Sequence, residues 1–354
     1  MMQLEELCRQ MIESGASDLH LAVGIPPQLR IDGELYALDT ATLTPEMTKS
    51  LSYSILTEQQ IKEFEKDKEL DMSFGIKGLS RFRVNLYLDR GSVVAAIRSI
   101  PYEILNFEDL GLPKCVRELA DRPQGLVLVC GPTGSGKSTT LAALMNKINN
   151  ERRCHIVTIE DPIEYLHAHK LSVINQREVF ADTHSFAAAL KHILRQDPDV
   201  IMIGEMRDLE TIMVALTVAE TGHLVFATLH SNDATQTINR MVDVFPPHQQ
   251  LQVRTQLSFV LEGVLVQKLL PRKNSNGRVL ALEIMVATPA IRSLIREDKL
   301  HQIYSAISTG GALGMQTMNL GLYRLYKSGQ ITYEHALENS MDQEELLRLM
   351  GKGF

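Results

Sequence analysis

The sequence predicts an α/β protein with a mainly parallel sheet, preceded by a smaller α+β domain. Two observations predict the sheet. Four short, almost wholly apolar runs stand at 126–130, 155–159, 200–203 and 224–229, and helix-forming stretches separate them. Strands apolar on both faces belong to a sheet covered by helices on both sides. The third observation is the first 99 residues, where alternating patterns and turn dipeptides take the place of those runs.

In chain order, Leu4, Leu7, Cys8, Met11 and Ile12 recur at helical spacing, predicting an amphipathic helix that ends near Gly15. Residues 18–23 and 28–36 read as strands, the second broken at the turn dipeptide Asp32-Gly33. Thr44-Pro45-Glu46 opens a helical stretch reaching about Lys66, with room for an interruption. Residues 81–88 and 93–99 flank the turn Asp89-Arg90-Gly91 and complete a domain over 1–99. Proline, glycine and few periodic apolar positions make 100–112 a linker. The remainder, 113–354, forms the second domain. After Pro271 it reads as mainly helical, with 273–277 an exposed loop.

With 354 residues, 44% hydrophobic and 22% charged, the chain has the make-up of a soluble protein of two ordinary domains. A formal net charge of −7 argues against nucleic acid as a partner, although Arg292, Arg296 and Lys299 form a local basic strip. Cys8, Cys115, Cys130 and Cys154 make no CxxC pair, so neither a zinc ribbon nor a disulfide framework is expected. Reduced thiols and a cytoplasmic location follow. Residues 1–24 carry acids and an arginine where a signal peptide needs an apolar stretch, and no run approaches the ~18 apolar residues of a membrane span. Membrane association is therefore expected only through a partner.

The chemistry centres on Gly131-Pro132-Thr133-Gly134-Ser135-Gly136-Lys137-Ser138, followed by Thr139. A predicted strand runs into this loop and a predicted helix leaves it, the context that makes a phosphate-binding loop credible. Glycines let backbone N–H groups turn toward phosphate oxygens, Lys137 supplies charge to the β and γ phosphates, and Ser138 can ligate Mg²⁺. ATP with Mg²⁺ is the expected ligand. Glu205 stands at the carboxyl end of the apolar run 200–203, where ligand chemistry collects in open α/β sheets, and is the candidate base. Glu160, Asp161 and Glu164 crowd the end of another run and are assigned to Mg²⁺ and its waters. His223 and His230 bracket the run 224–229, each able to sense phosphate or a neighbouring subunit. Arg81 and Arg83, two apart on one strand, face the same side, and Arg98 lies on the next strand, so the three can converge as arginine fingers.

Taken in order, GPTGSGKSTT (131–140), VTIEDPIEYLH (157–167), VIMIGEMRD (200–208) and TGHLVFATLHSNDA (221–234) resemble the bacterial secretion ATPases of the type II and type IV pilus superfamily. SRFRVN (80–85), INQREV (174–179), VFPPHQQLQVRTQLS (244–258) and AIRSLIRE (290–297) are similar to the pilus-retraction ATPases, the PilT family. That resemblance implies a RecA-like P-loop domain, an N-terminal PAS-like domain and a homohexamer working at the inner-membrane pilus platform. Through the platform it would act on pilin. It also implies Glu205 as catalytic glutamate, Glu160, Asp161 and Glu164 as an acidic box, His223 and His230 as a histidine box, and Arg83 and Arg98, with Arg81 beside them, as γ-phosphate arginines. Ala290, Ile291, Arg292, Leu294 and Ile295 would form a retraction-specific surface, in which Ser293 replaces the family's usual Asn. Phe180 stands where glycine often follows QREV. Pilus-assembly or type II secretion ATPases, accessory retraction ATPases and a non-hydrolysing nucleotide-dependent scaffold remain as rival readings.

Overall fold

The computed structural model describes residues 3–31, 33–100, 104–273 and 277–351. Asp32 of the predicted turn, 101–103 of the predicted linker and 274–276 of the predicted loop lie outside them. Two compact units emerge, Met1–Glu103 with Glu164–Leu166, and Ile104–Ile163 with His167–Phe354.

The first unit comprises α1 (Leu4–Glu13), β1 (Asp18–Leu21), β2 (Gln28–Ile31), β3 (Glu34–Ala37), α2 (Pro45–Tyr53), α3 (Glu58–Asp67), β4 (Glu69–Ile76), β5 (Ser80–Asp89) and β6 (Ser92–Ile100). Its six strands lie in the order β3-β2-β1-β6-β5-β4, each neighbour antiparallel. Along β5, Phe82, Val84 and Leu86 are fully buried with Leu7, Met11, Leu19 and Phe64, so Arg81 and Arg83 take the opposite face. The interruption in the predicted 44–66 helix falls at Ser54–Leu56. There Thr57 and Gln60 exchange bonds in a capping box that starts α3 afresh. Strand β4 was not foreseen. It is an edge strand whose charged and polar positions dilute the alternation, and only its pairing with β5 makes it a strand.

The second unit comprises α4 (Lys114–Leu119), β7 (Gly125–Cys130), α5 (Lys137–Glu151), β8 (His155–Glu160), β9 (Val173–Glu178), α6 (Phe186–Ile193), β10 (Val200–Ile203), α7 (Leu209–Glu220), β11 (Leu224–Leu229), α8 (Ala234–Asp243), α9 (Pro247–Val260), β12 (Leu261–Pro271), β13 (Arg278–Val286), α10 (Pro289–Arg296), α11 (Ile303–Thr309), α12 (Met318–Lys327), α13 (Tyr333–Asn339) and α14 (Gln343–Leu349). Seven strands run β13-β12-β7-β11-β10-β8-β9, parallel except for the β12–β13 pair. Central β7 shows why the sheet needs helices on both sides. Leu126, Leu128 and Cys130 enter one core cluster, Val127 and Val129 the other, and all five are fully buried. Each fully buried Leu or Val of this kind contributes about 1.5–3 kcal/mol.

Two expectations need correction, and a third needs an addition. The chain after Pro271 is mainly helical, with one strand the sequence did not predict, Arg278–Val286, which forms β13 antiparallel to β12. Its run of apolar residues carries no period that separates helix from strand, and pairing with β12 decides. The expected linker 100–112 is largely structured: Ile100 ends β6, and Phe107 and Leu112 are buried in the second unit. In α10, Ile291 and Ile295 are fully buried, so they are core and not surface. Arg292 donates to the Ser258 and Phe259 carbonyls that close α9 and pairs with Glu262 at 2.6 Å. Lys299 pairs with Glu297, which leaves the basic strip partly neutralised. Among the described residues, no helix is long and apolar enough to cross a membrane.

Candidate functional site

In a parallel sheet all carboxyl ends lie on one edge, and here strand order sets neighbours along it. The order β7-β11-β10-β8 places, in turn, the glycine-rich loop, His230, Glu205 and Glu160. His223 precedes β11 and so lies at the opposite, amino edge, where its Nδ1 is 3.1 Å from the Val218 carbonyl and 3.2 Å from Thr221 Oγ1. The structure thus brings His230 to this edge and leaves His223 away from it.

Gly131 leaves β7 with φ +140°, and a Cβ there would stand 2.4 Å from the Gln267 carbonyl and 2.6 Å from Ser135 Oγ. Only glycine lets the loop press against β12. Gly134 and Gly136 also have positive φ, turning the chain into the start of α5. Lys137 Nζ donates back to the Gly131 and Pro132 carbonyls at 2.9 and 3.0 Å. Ser135 Oγ is buried with no protein hydrogen-bond partner, an orphan that a phosphate oxygen would satisfy. Ser138 and Thr139 lie half-buried in the first turn of α5, beneath the loop. These features fit a nucleotide phosphate chain. Beside the loop lies a cavity of ≈ 390 Å³, lined by Pro132, Thr133, Gly134 and Ser135 together with residues from three other segments.

Glu205 is held by Arg207, whose Nε and Nη2 reach its two oxygens at 2.6 and 2.7 Å, and by His230 Nε2 at 3.2 Å. Burial raises its carboxyl, but hydrogen bonds and charge from Arg207 and His230 outweigh that and hold it below the usual glutamate range. Gly204 lets Glu205 stand here, since a Cβ would meet the Ile159 carbonyl and Glu160 Cα at 3.2 Å. Glu160 is buried and accepts from Thr158 Oγ1 at 2.6 Å and Gln176 Nε2 at 3.0 Å. Asp161 is exposed, and Arg207 lies close enough to feel its charge. Glu164 is exposed and clusters with the first unit. Among the described residues no three His, Cys, Asp or Glu side chains form a ready-made metal cage. Mg²⁺ commonly takes one or two carboxylates plus phosphate oxygens and waters, so Ser138 with Glu160 or Asp161 suits its donor needs.

In the first unit, Arg83 and Arg98 are direct cross-strand partners on β5 and β6. Like charges placed opposite one another destabilise a sheet unless an anion sits nearby. Asp18 answers Arg98 at 2.8 Å, and Arg81 Nη2 donates to Ser73 Oγ at 2.6 Å, whereas Arg83 points from an exposed position.

The residue the sequence reading passed over is Glu283, on β13. It is 2% exposed, and its oxygens accept from the backbone N–H of Ala234 at 2.8 Å and of Met318 at 3.3 Å. A lone acid within V-L-A-L-E-I-M-V was the signal. Burial, opposed by those two N–H groups, pushes its carboxyl up to about 7. Since this lies above the value in an unfolded chain, the native state binds more protons between roughly pH 4.5 and 7, and Glu283 favours folding most at the acidic end. That contribution is lost as pH rises through about 7. Between about pH 5 and pH 8 the melting temperature of the wild type should therefore fall more steeply than that of Glu283→Gln. Parallel profiles would show that the carboxyl titrates normally.

A glycine-rich loop between a central parallel strand and a helix, with a carboxylate two strands away on the same edge, defines a P-loop nucleotide hydrolase. The chain belongs to the family described as Type II/IV secretion system protein, whose sequence model matches residues 2–317. It is 50% identical over 339 residues to the type IV pilus retraction ATPase PilT of Pseudomonas aeruginosa, covering 96% of this chain and 98% of that protein. A twitching motility protein of Neisseria gonorrhoeae is 46% identical over 320 residues, 90% of this chain and 86% of that one. Among solved structures, the pilus retraction motor PilT with bound ADP superposes with a TM-score of 0.93 at 54% identity, covering 98% of this chain and 100% of that chain.

Proposed function

We propose that this chain is a motor ATPase that powers retraction of type IV pili. The shared edge of the sheet, where the Lys137 loop, His230 and Glu205 follow one another at the ends of β7, β11 and β10, carries the hydrolase part of this reading, and the near-full-length similarity to PilT carries the retraction part. Gly131, Pro132, Thr133, Gly134, Ser135 and Gly136 form the cradle for the phosphates of ATP, with Thr139 at its base. Lys137 exchanges its bonds with the loop carbonyls for the β and γ phosphates. Ser138, Glu160 and Asp161, with Glu164 at longer range, are the groups that would hold Mg²⁺ and its waters, and the bound ion adds positive charge at those phosphates. Glu205 orients the attacking water, and His230 reports on its charge. Arg83 and Arg98, with Arg81 beside them, supply positive charge to the γ-phosphate in an assembled homohexamer. His223, at the far edge, is assigned to contact with a neighbouring copy.

The motor works in the cytoplasm, held at the inner membrane by the pilus platform protein, and acts on pilin through that platform. The deciding test is the number of surface pili on cells whose only copy carries Glu205→Gln. An excess of pili with twitching lost is the expected result. Bald cells would assign the chain to pilus assembly, and normal pili with normal twitching would remove it from the machine.

A further inference from the structure

The cavity beside the phosphate loop is lined by Asn232 from one segment, Lys268 from β12, Asn339 at the end of α13 and Met341 between α13 and α14. These segments are remote in sequence, yet two side chains, Glu283 and Asn319, join them in series. Glu283 Oε1 accepts from Ala234 N, two residues past Asn232, at the start of α8. Its Oε2 accepts from Met318 N at the start of α12. The next residue, Asn319, continues the connection: its Oδ1 accepts from Ser340 Oγ at 2.8 Å, and its Nδ2 donates to the Asp342 carbonyl at 2.8 Å. Ser340 stands between Asn339 and Met341, and Lys268 Nζ holds the Asn339 carbonyl at 2.8 Å from the other side. Ala234 also lies four residues past His230, which contacts Glu205.

We infer that Glu283 is a positioning residue for the nucleotide, a buried carboxylate that, through Met318 and Asn319, ties the Asn232 segment to the Asn339–Met341 segment and so sets the shape of the cavity. Two helix N-termini, each the positive end of a dipole with unsatisfied N–H groups, converge on it. An amide in its place accepts from only one helix, because its NH₂ group opposes the other N–H. Released, the two segments shift independently, and the nucleotide meets a looser cavity. This inference rests on the reading of the loop as a nucleotide site.

The test is steady-state ATP hydrolysis, with thermal melts, for wild type, Glu283→Gln, Ser340→Ala and Met285→Ala. Ser340→Ala removes one of the two bonds by which Asn319 holds this connection, without burying a new polar group. Met285→Ala removes fully buried bulk from the same strand without touching it. Assayed at about pH 8, where the Glu283 carboxyl is mostly ionised, Glu283→Gln should raise KM for ATP about tenfold, the loss of one charge-assisted hydrogen bond, with kcat far less affected. Ser340→Ala should move KM in the same direction by less, and Met285→Ala should lower the melting temperature with KM unchanged. If Glu283→Gln does not fold, Ser340→Ala with Met285→Ala decides the matter. An unchanged KM in Ser340→Ala, or an equal rise in Met285→Ala, overturns the inference while wild-type hydrolysis leaves the nucleotide reading intact. A wild type that neither binds nor hydrolyses ATP removes both.

Discussion

Glu205→Gln is expected to keep ATP binding and to lower turnover by about 10²–10⁴-fold, the range for loss of a positioned general base. The substitution keeps the side chain's size beside Gly204, removes the negative charge that Arg207 and His230 hold, and puts an NH₂ group in place of one of the two oxygens that Arg207 bonds. The direction of its shift matters here. A carboxyl held below the usual range is fully ionised at neutral pH and is a weak proton acceptor. Its strength lies in aligning water, which suits phosphoryl transfer, where positioning and charge do most of the chemistry. Phosphate release at saturating ATP, beside a nucleotide-binding titration, is the measurement. Equal turnover in the two proteins would take Glu205 out of the mechanism, and no turnover in either would favour a non-hydrolysing nucleotide-dependent scaffold.

Arg83→Ala should lower kcat by on the order of 10³ or more while leaving nucleotide binding and the fold of its own unit intact. The side chain lies outside the core formed by Phe82 and Val84, so its removal opens no cavity. It even relieves the like-charge pairing with Arg98, so the melting temperature should hold steady or rise slightly. Lower turnover joined to unchanged or higher stability is the pattern that separates a phosphate-directed arginine from a structural one. A fall in kcat of less than about tenfold, well short of what such an arginine contributes, would return Arg83 to a solvated sheet face.

How much of the site could be read beforehand depended on how local its determinants were. The phosphate loop was legible because its glycines, Lys137 and Ser138 fall within the single segment 131–138, flanked by an apolar strand and a helix. Glu205 and Glu160 were legible because each stands within two residues of the end of an apolar run whose carboxyl end must lie on the ligand edge of a parallel sheet. His223 and His230 looked equivalent as a bracketing pair. Strand direction separates them, since one precedes β11 and the other follows it.

By itself, the sequence determined the α/β class, the helix-covered parallel sheet and the residues that can meet a phosphate, because apolar runs and turn chemistry act over a few neighbouring positions. Tertiary structure alone decided that 278–286 is a strand, that β4 and β9 border their sheets, and that Ile291 and Ile295 belong to the core. It also decided that Glu283 joins two helix starts from edge strand β13. The physical reason is distance along the chain. An edge strand takes its hydrogen bonds from its partner, a half-apolar helix takes its inward face from what packs on it, and a buried acid takes its partners from segments about 35 to 50 residues away.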